Sequence, residues 1–227
     1  MTIKAVEVHG RCDERFSPVR DAFTRNFDEF GDVGAAVAVT IDGKPVVDLW
    51  GGVSDKETMD PWQEDTLVTV YSTTKGMTAI CAHRLVEQGL LDLNAPVAKY
   101  WPEFAQAGKA DVPVHMLLSH RVGLPTVSDE LPEGAVFNWE TMTDVLARQK
   151  PFWEPGTRHG YHGLTFGWLV GEVVRRISGK SLGTFFRDEV AAPLGLDFYI
   201  GLDAKHDARI ATMYTAAVSV ETAREME

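Results

Sequence analysis

Apolar residues recur at helical spacing immediately after Ser17-Pro18. They are Val19, Ala22, Phe23, Phe27 and Phe30. Serine is a preferred N-cap residue and proline is favoured at the first helical position, and this spacing puts the apolar side chains on one face. The pattern predicts that the chain opens with an amphipathic helix.

Two β-rich runs follow the first helix. They are Ala35–Ile41 and Pro45–Trp50, and the dipeptide Asp42-Gly43 lies between them. Asp-Gly between apolar runs is a strong hairpin signal because both turn residues must adopt positive φ. The pattern predicts a two-stranded antiparallel unit, which needs further strands or a packed helix to be stable.

After Trp62 the pattern changes to helices joined by Gly- and Pro-containing loops. The predicted helices are Ser72–Gln88, Val114–Ser119, Thr141–Arg148, Leu164–Ile177 and Ser181–Val190. Beyond them the pattern predicts a short extended segment at Phe198–Ile200 and another helix or strand at Arg209–Ala217.

No internal repeat or long linker interrupts the chain, so we expect a single α+β domain over residues 1–227. An N-terminal helix and the start of an antiparallel sheet would occupy residues 1–62. A large helical region would occupy 63–197, and residues 198–227 would begin a return to the sheet.

Composition narrows the class of protein. The 227 residues are 44% hydrophobic and 24% charged, which is ordinary for a globular chain. With 33 acidic and 22 basic residues the net charge is −11, which argues against nucleic acid and membrane partners. Two cysteines, Cys12 and Cys81, are too few for a disulfide scaffold or a Cys-rich metal site. Because residues 1–10 lack a signal-peptide pattern, we expect a cytoplasmic location.

Ser72-Thr73-Thr74-Lys75 has the S-x-x-K spacing. At the start of a helix this spacing places the serine hydroxyl and the lysine amine on one face, one turn apart. A serine needs a nearby base to become a nucleophile, and the N–H groups of a helix N-terminus can stabilise the negative charge on an attacked carbonyl oxygen. The four-residue match alone is a weak signal for a catalytic serine and lysine, so the surrounding sequence is needed to interpret it.

That context resembles the serine β-lactamase and penicillin-recognising superfamily, particularly its class C-like (family VIII-type) esterase branch. The blocks that carry the resemblance are Val70–Met77 (VYSTTKGM), Met116–Pro125 (MLLSHRVGLP) and Glu154–Thr157 (EPGT) leading into Tyr161–Gly163 (YHG). Their order and spacing are similar to the family pattern over nearly the whole chain. The resemblance implies a β-lactamase/transpeptidase-like fold and a hydrolase that needs no cofactor.

The resemblance also implies roles for three residues. Ser72 would attack an ester or amide carbonyl, Lys75 would accept its proton, and Tyr161 would relay protons to the leaving group. A phenol close to a cation has a lowered pKa, which suits Tyr161 to such a relay.

The chain departs from the family pattern at two points. Many members have asparagine two positions after the tyrosine, where this chain has Gly163. An esterase or acyltransferase therefore fits better than a β-lactamase or a D-amino peptidase. A third motif, Lys-Thr-Gly or a His- or Trp-containing equivalent on a late strand, is not found, so the C-terminal strands are expected to be missing.

Other residues allow two interpretations each. His162 could face the acyl pocket or hydrogen-bond to the backbone of its loop, and His159 with His162 could suggest zinc, although no third ligand is apparent. We expect no metal. Trp153, with Trp139 and Phe152, could line an apolar substrate pocket or belong to the core. We include His162, Gly163 and Trp153 as candidate substrate contacts.

The leading hypothesis is a serine hydrolase that acts on small carboxylic esters through an acyl-enzyme on Ser72. The alternative is a catalytically silent or truncated chain that acts as an interaction subunit. An unpaired sheet edge can pair with another chain, so we expect a homo-oligomer through that edge, or aggregation.

Overall fold

A computed structural model describes residues 6–214. The chain forms two compact units. We call residues 1–69 together with 203–227 the sheet unit and residues 70–202 the helical unit. The unit boundaries therefore lie a few residues after those expected at 62/63 and 197/198, and the single-domain organisation stays a prediction.

An antiparallel sheet forms the sheet unit. Its strands are β1 (Val8–Cys12), β2 (Gly34–Ile41), β3 (Lys44–Asp55) and β4 (Asp60–Pro61). β3 lies between β1 and β2, and β4 pairs with the end of β3. The predicted hairpin is confirmed, with φ values of 50° at Asp42 and 72° at Gly43 in its turn. No strand was predicted over β1, so its pairing with β3 is a finding of the structure.

The first helix, α1 (Ser17–Arg25), is confirmed and continues as a π-helical turn over Asn26–Phe30. Its Phe23 and Phe27 pack edge to face, with ring centroids 5.3 Å apart. They form one buried cluster with Val46, Val47 and Leu49 of β3. The helix thus covers the apolar face that the hairpin alone could not bury.

Helices and loops make up the helical unit. The helices are α2 (Thr74–Glu87), α3 (His115–Leu118), α4 (Trp139–Arg148), α5 (Thr165–Ser178), α6 (Leu182–Phe186) and α7 (Ala192–Leu194). A 3-10 turn over Tyr71–Thr73 precedes α2, and a π-helical turn over Arg187–Ala191 joins α6 to α7. All five helices predicted for this region are confirmed within a few residues.

Local signals explain where several helices begin and end. The Asn138 side chain accepts the N–H of Thr141 at 2.9 Å and starts α4, and Ser181 caps α6 in the same way through Thr184. Gly179 ends α5 with φ 70°, in the left-handed conformation that glycine adopts without cost. These ends explain why the helix predictions were accurate.

The elements predicted near the C-terminus agree less well with the structure than the helices do. Residues 198–200 belong to no assigned strand, and the short extended segment expected there stays a prediction. Residues 204–209 form a 3-10 helix, and Ile210 forms an isolated parallel bridge with Leu67. The remainder of the predicted Arg209–Ala217 element lies partly outside the described residues. No helix within residues 6–214 is long and apolar enough to cross a bilayer.

Candidate active site

Ser72 and Lys75 lie where the chain enters α2. Ser72 belongs to the 3-10 turn and Lys75 to the first turn of the helix. Lys75 Nζ donates to Ser72 Oγ at 3.1 Å, which is the contact that the S-x-x-K spacing predicts. The serine side chain is exposed and the lysine is partly buried, so the hydroxyl is open to a reactant and the amine is held behind it.

Lys75 has a second partner from a distant loop. Its Nζ also donates to the backbone carbonyl of Gly163 at 2.7 Å. A Cβ at Gly163 would meet only Tyr161 ring carbons, at 3.7 and 3.9 Å, so the position has room for a side chain. Gly163 therefore contributes its carbonyl oxygen to the site and leaves open the space beside it.

Tyr161 completes the cluster. Its hydroxyl lies 2.6 Å from Ser72 Oγ, and Lys75 Nζ lies 4.8 Å from the centre of its ring. Hydrogen bonds from Lys75 and then from Ser72 lower the pKa of Tyr161 below its ordinary value. Ser72 Oγ thus contacts both an amine and a phenol that can move protons.

The residue before Ser72 has unusual backbone geometry. Tyr71 has φ 42°, in the left-handed region that bulky L-residues rarely adopt. Its side chain is 71% exposed, so packing of the ring does not explain the conformation. Strained backbone of this kind is common where a catalytic side chain must be presented at a set angle.

Comparison with known proteins gives the family of the chain. A family model described as Beta-lactamase matches residues 23–226. The chain belongs to the beta-lactamase family. Within that family it is 40% identical over 190 residues to the Esterase/beta-lactamase LipL of Mycobacterium tuberculosis (strain ATCC 25618 / H37Rv), a match that covers 84% of this chain and 44% of LipL.

Solved beta-lactamase-family structures show the same architecture. A family VIII carboxylesterase structure is 48% identical with a TM-score of 0.86, covering 92% of this chain and 57% of that one. A penicillin-binding protein homologue from Caulobacter crescentus is 41% identical with a TM-score of 0.89, covering 93% and 57%. The β-lactamase/transpeptidase-like α+β fold is confirmed. The chain spans about half the length of these relatives.

His162 does not face a pocket in this family member. The residue is fully buried. Its Nδ1 donates to Gly160 O at 2.6 Å, and its Nε2 accepts the N–H of Leu124 at 2.9 Å. Burial lowers the pKa of His162 to about 4. A substrate contact by His162 does not fit this burial, because both ring nitrogens already bind the backbone. The alternative, a histidine that hydrogen-bonds to the backbone of its loop, fits these contacts.

The two candidate tryptophans differ in their contacts. Trp139 is half-buried and donates through Nε1 to the fully buried Glu172 at 2.7 Å. Trp153 lies against Gly160, where an added Cβ would come within 2.6 Å of the indole, and packs edge to face on His162. Trp153 thus supports the loop that carries Tyr161. Its role as a substrate contact stays a prediction.

The His159 and His162 pair was the alternative metal site. Within the described part of the chain, no group of three or more His, Cys, Asp or Glu side chains is placed to hold a metal ion. The two ring nitrogens of His162 are also occupied by backbone partners. The described residues around this pair therefore offer no metal-binding arrangement.

Proposed function

We propose that the protein is a serine hydrolase that cleaves small carboxylic esters through an acyl-enzyme on Ser72. The observation that carries the proposal is the position of Ser72 Oγ, 3.1 Å from Lys75 Nζ and 2.6 Å from the Tyr161 hydroxyl. The name of LipL and that of the family VIII carboxylesterase support ester hydrolysis.

In the proposed acylation, Ser72 Oγ bonds to the ester carbonyl carbon and its proton passes to the phenolate oxygen of Tyr161. The tetrahedral intermediate then expels the alkoxide, which takes that proton and leaves as the alcohol. Water attacks the acyl-enzyme in the reverse sense and releases the acid and free Ser72. An alcohol in place of water would make the reaction an acyl transfer.

We assign the immediate proton acceptor to Tyr161 and an electrostatic role to Lys75. Resemblance to the family gave the acceptor role to Lys75. Two observations favour the phenol: it is the closer of the two groups to Ser72 Oγ, and Lys75 lowers its pKa. A cation that also donates to Gly163 O is well placed to hold a phenolate.

The nucleophile assignment is tested with an activated short-chain aryl ester. Intact mass followed by peptide mapping should find the acyl group on Ser72, and Ser72→Ala should lose both the label and turnover. Label on another residue would refute the assignment. A protein that folds but takes no label would instead support the alternative of a catalytically silent interaction subunit.

The proton acceptor is tested by the pH dependence of acylation. If Lys75 acts by lowering the pKa of Tyr161, Lys75→Met should move the acid limb of the kcat/KM profile to higher pH while activity persists above it. Tyr161→Phe should abolish acylation at every pH. Complete loss in Lys75→Met with residual activity in Tyr161→Phe would return the acceptor role to Lys75.

The substrate class follows from Gly163, which has no side-chain amide to bind the amide of a β-lactam. We expect ester turnover to exceed penicillin or cephalosporin turnover by orders of magnitude. Gly163→Asn should raise β-lactam kcat/KM, and Gly163→Ala, the matched control, should not. Comparable turnover of β-lactams and esters by the unaltered protein would contradict this substrate class.

Association through the sheet is a separate proposal. Within the described residues, β2 pairs with β3 on one side and its other edge has no strand neighbour. An open edge presents backbone N–H and C=O groups to another chain. Light scattering coupled to size exclusion should detect self-association, and Val37→Pro, at the middle of β2, should reduce it.

A further inference from the structure

His120 lies in the loop that follows α3, within the block Met116–Pro125. Its backbone has φ 59°, in the left-handed region. Histidine adopts this region more often than most residues, yet it remains uncommon and calls for an explanation. The side chain is partly buried, and its surroundings lie entirely within the helical unit.

Two hydrogen bonds join His120 to the loop that carries Tyr161. The N–H of Gly160 donates to the His120 carbonyl at 3.1 Å. The N–H of His162 donates to the His120 ring nitrogen Nδ1, also at 3.1 Å. The donors are the residues immediately before and after Tyr161, so a single residue holds the backbone on both sides of the phenol.

The His120 ring also packs against the phenol itself. Its centre lies 5.1 Å from the Tyr161 ring and 5.1 Å from the Phe166 ring. Phe166 is buried in α5 and is therefore a firm support for the imidazole. The imidazole lies against both rings, so it limits how far the phenol can swing away from Ser72.

We infer that His120 is the positioning residue for Tyr161: its carbonyl and Nδ1 hold Gly160 and His162 so that the phenol oxygen meets Ser72 Oγ. The inference rests on the proposed function, because the placement matters only if Ser72 is acylated. His120 touches neither Ser72 nor the space for a substrate in any described contact, and so acts through Tyr161.

The arrangement requires a neutral His120. Nδ1 accepts a hydrogen bond only when unprotonated, whereas both ring nitrogens of an imidazolium are donors. The titratable groups that face the ring are His159, Tyr161 and His162 from the loop and Lys75 from α2. Burial, then His159 and Lys75, lower the pKa of His120, which favours the neutral form. Acid should therefore break the bond to His162 N–H.

Two substitutions separate the hydrogen-bond acceptor of His120, Nδ1, from the packing of its ring. In His120→Asn, Oδ1 lies one bond beyond Cγ as Nδ1 does, and asparagine tolerates positive φ, so acylation should stay within about threefold of the unaltered rate. In His120→Leu the acceptor is lost, and a displaced phenol should lower kcat on the order of 100-fold with KM little changed. His159→Asn, at an exposed neighbour, is the control and should leave kcat on the neutral plateau of the pH profile unchanged.

The pH profile provides a readout that a purely structural role would not affect. Because asparagine does not titrate, His120→Asn should lose the part of the acid limb of kcat that comes from imidazole protonation and keep more of its activity at low pH. An acid limb identical to that of the unaltered protein would overturn the inference. The pH profile of His120→Asn tests the positioning role even if His120→Leu fails to fold.

Failure of this inference and failure of the proposed function give different results. The rate of acyl-group attachment is measured by rapid mixing and intact mass for each variant, with the attachment site mapped. If Ser72 is labelled equally fast in the unaltered protein and in a folded His120→Leu, only the positioning role is wrong. If the unaltered protein carries its label on another residue, the proposed function is wrong and the positioning role falls with it.

Discussion

The helical unit and the sheet unit bury their side chains in different ways. Among residues 6–214, one continuous cluster of 24 buried apolar residues lies in the helical unit, and the cluster in the sheet unit has five. Every contact described for Ser72, Lys75, Tyr161 and His120 lies within the helical unit. The candidate site is thus built on the unit whose interior has more ways to lock side chains in place.

Buried polar groups sharpen the contrast. Among the described residues, the buried polar and charged side chains are Thr78, Lys109, Thr143, Gln149, His162, Thr165 and Glu172. All belong to the helical unit. Each buried polar group must be satisfied by a partner, so such groups specify one arrangement of loops where apolar contacts would accept several. The helical unit therefore has polar as well as apolar constraints on how its loops pack.

A matched pair of side-chain truncations in the two cores gives the strongest test of the difference between the units. Leu169 in α5 and Leu49 in β3 are both fully buried. Leu169→Ala should lower the free energy of unfolding by about 4 kcal/mol and Leu49→Ala by about 3 kcal/mol, since a smaller cluster relaxes more easily around a cavity. Urea denaturation measures both. Equal costs, or a larger cost at Leu49, would show that the two cores are equally rigid.

Removal of a buried charge should cost somewhat less. Glu172 is fully buried and binds Arg175, Arg176 and Trp139 at 2.6–2.7 Å. Glu172→Gln leaves these donors poorly paired and should lower the free energy of unfolding on the order of 3 kcal/mol. Asp144→Asn breaks an exposed ion pair in α4 and should cost less than about 1 kcal/mol. Similar costs for the two substitutions would mean that burial of Glu172 has little influence on the free energy of unfolding.

The two units should lose stability in different pH windows. The pKa of His162 in the helical unit falls from 6.5 to about 4 in the folded state, so its contribution is full above pH 6.5 and is lost as the pH falls towards 4. This loss should be on the order of 3 kcal/mol. In the sheet unit, hydrogen bonds from Thr212, the N–H of Glu57 and Tyr214 lower the pKa of Asp55, so its contribution is lost only below pH 3.8.

Hydrogen exchange by segment measures the two windows separately. Amides of α5 should lose protection between pH 6.5 and 4, after correction for the intrinsic exchange rate, while those of β3 keep theirs. A variant with His162→Asn should flatten the response of α5. If both units lose protection together, the pH response belongs to the whole molecule and this part of the comparison fails.

Backbone strain should give the smallest effect. Asp42 and Tyr71 both have positive φ, but Asp42 lies in a hairpin turn that favours aspartate, whereas Tyr71 lies directly before Ser72. Tyr71→Gly should leave stability unchanged or raise it by about 0.5 kcal/mol, and Tyr71→Val should lower it by about 1 kcal/mol. Thermal unfolding measures both. A Gly variant clearly less stable than the Val variant would mean that the Tyr71 backbone is not strained.

The sequence by itself determined the features that depend on near neighbours. The Asp42-Gly43 turn, the helix ends at Asn138 and Gly179, and the contact between Ser72 and Lys75 all join residues a few positions apart. For such pairs the backbone geometry of a turn or helix nearly fixes the distance. The same local blocks carried the resemblance from which the fold was correctly predicted.

Only the tertiary structure decided which distant groups meet. Tyr161 reaches Ser72 across 89 residues, and the His162 ring closes on Leu124 across 38. β1 paired with β3, although its short run gave no usable signal, because β3 offered a free edge. Hydrophobic periodicity records which face of an element is buried but not which loop lies beside it. His120 and His162 therefore acquired their places only through packing and hydrogen bonds between loops.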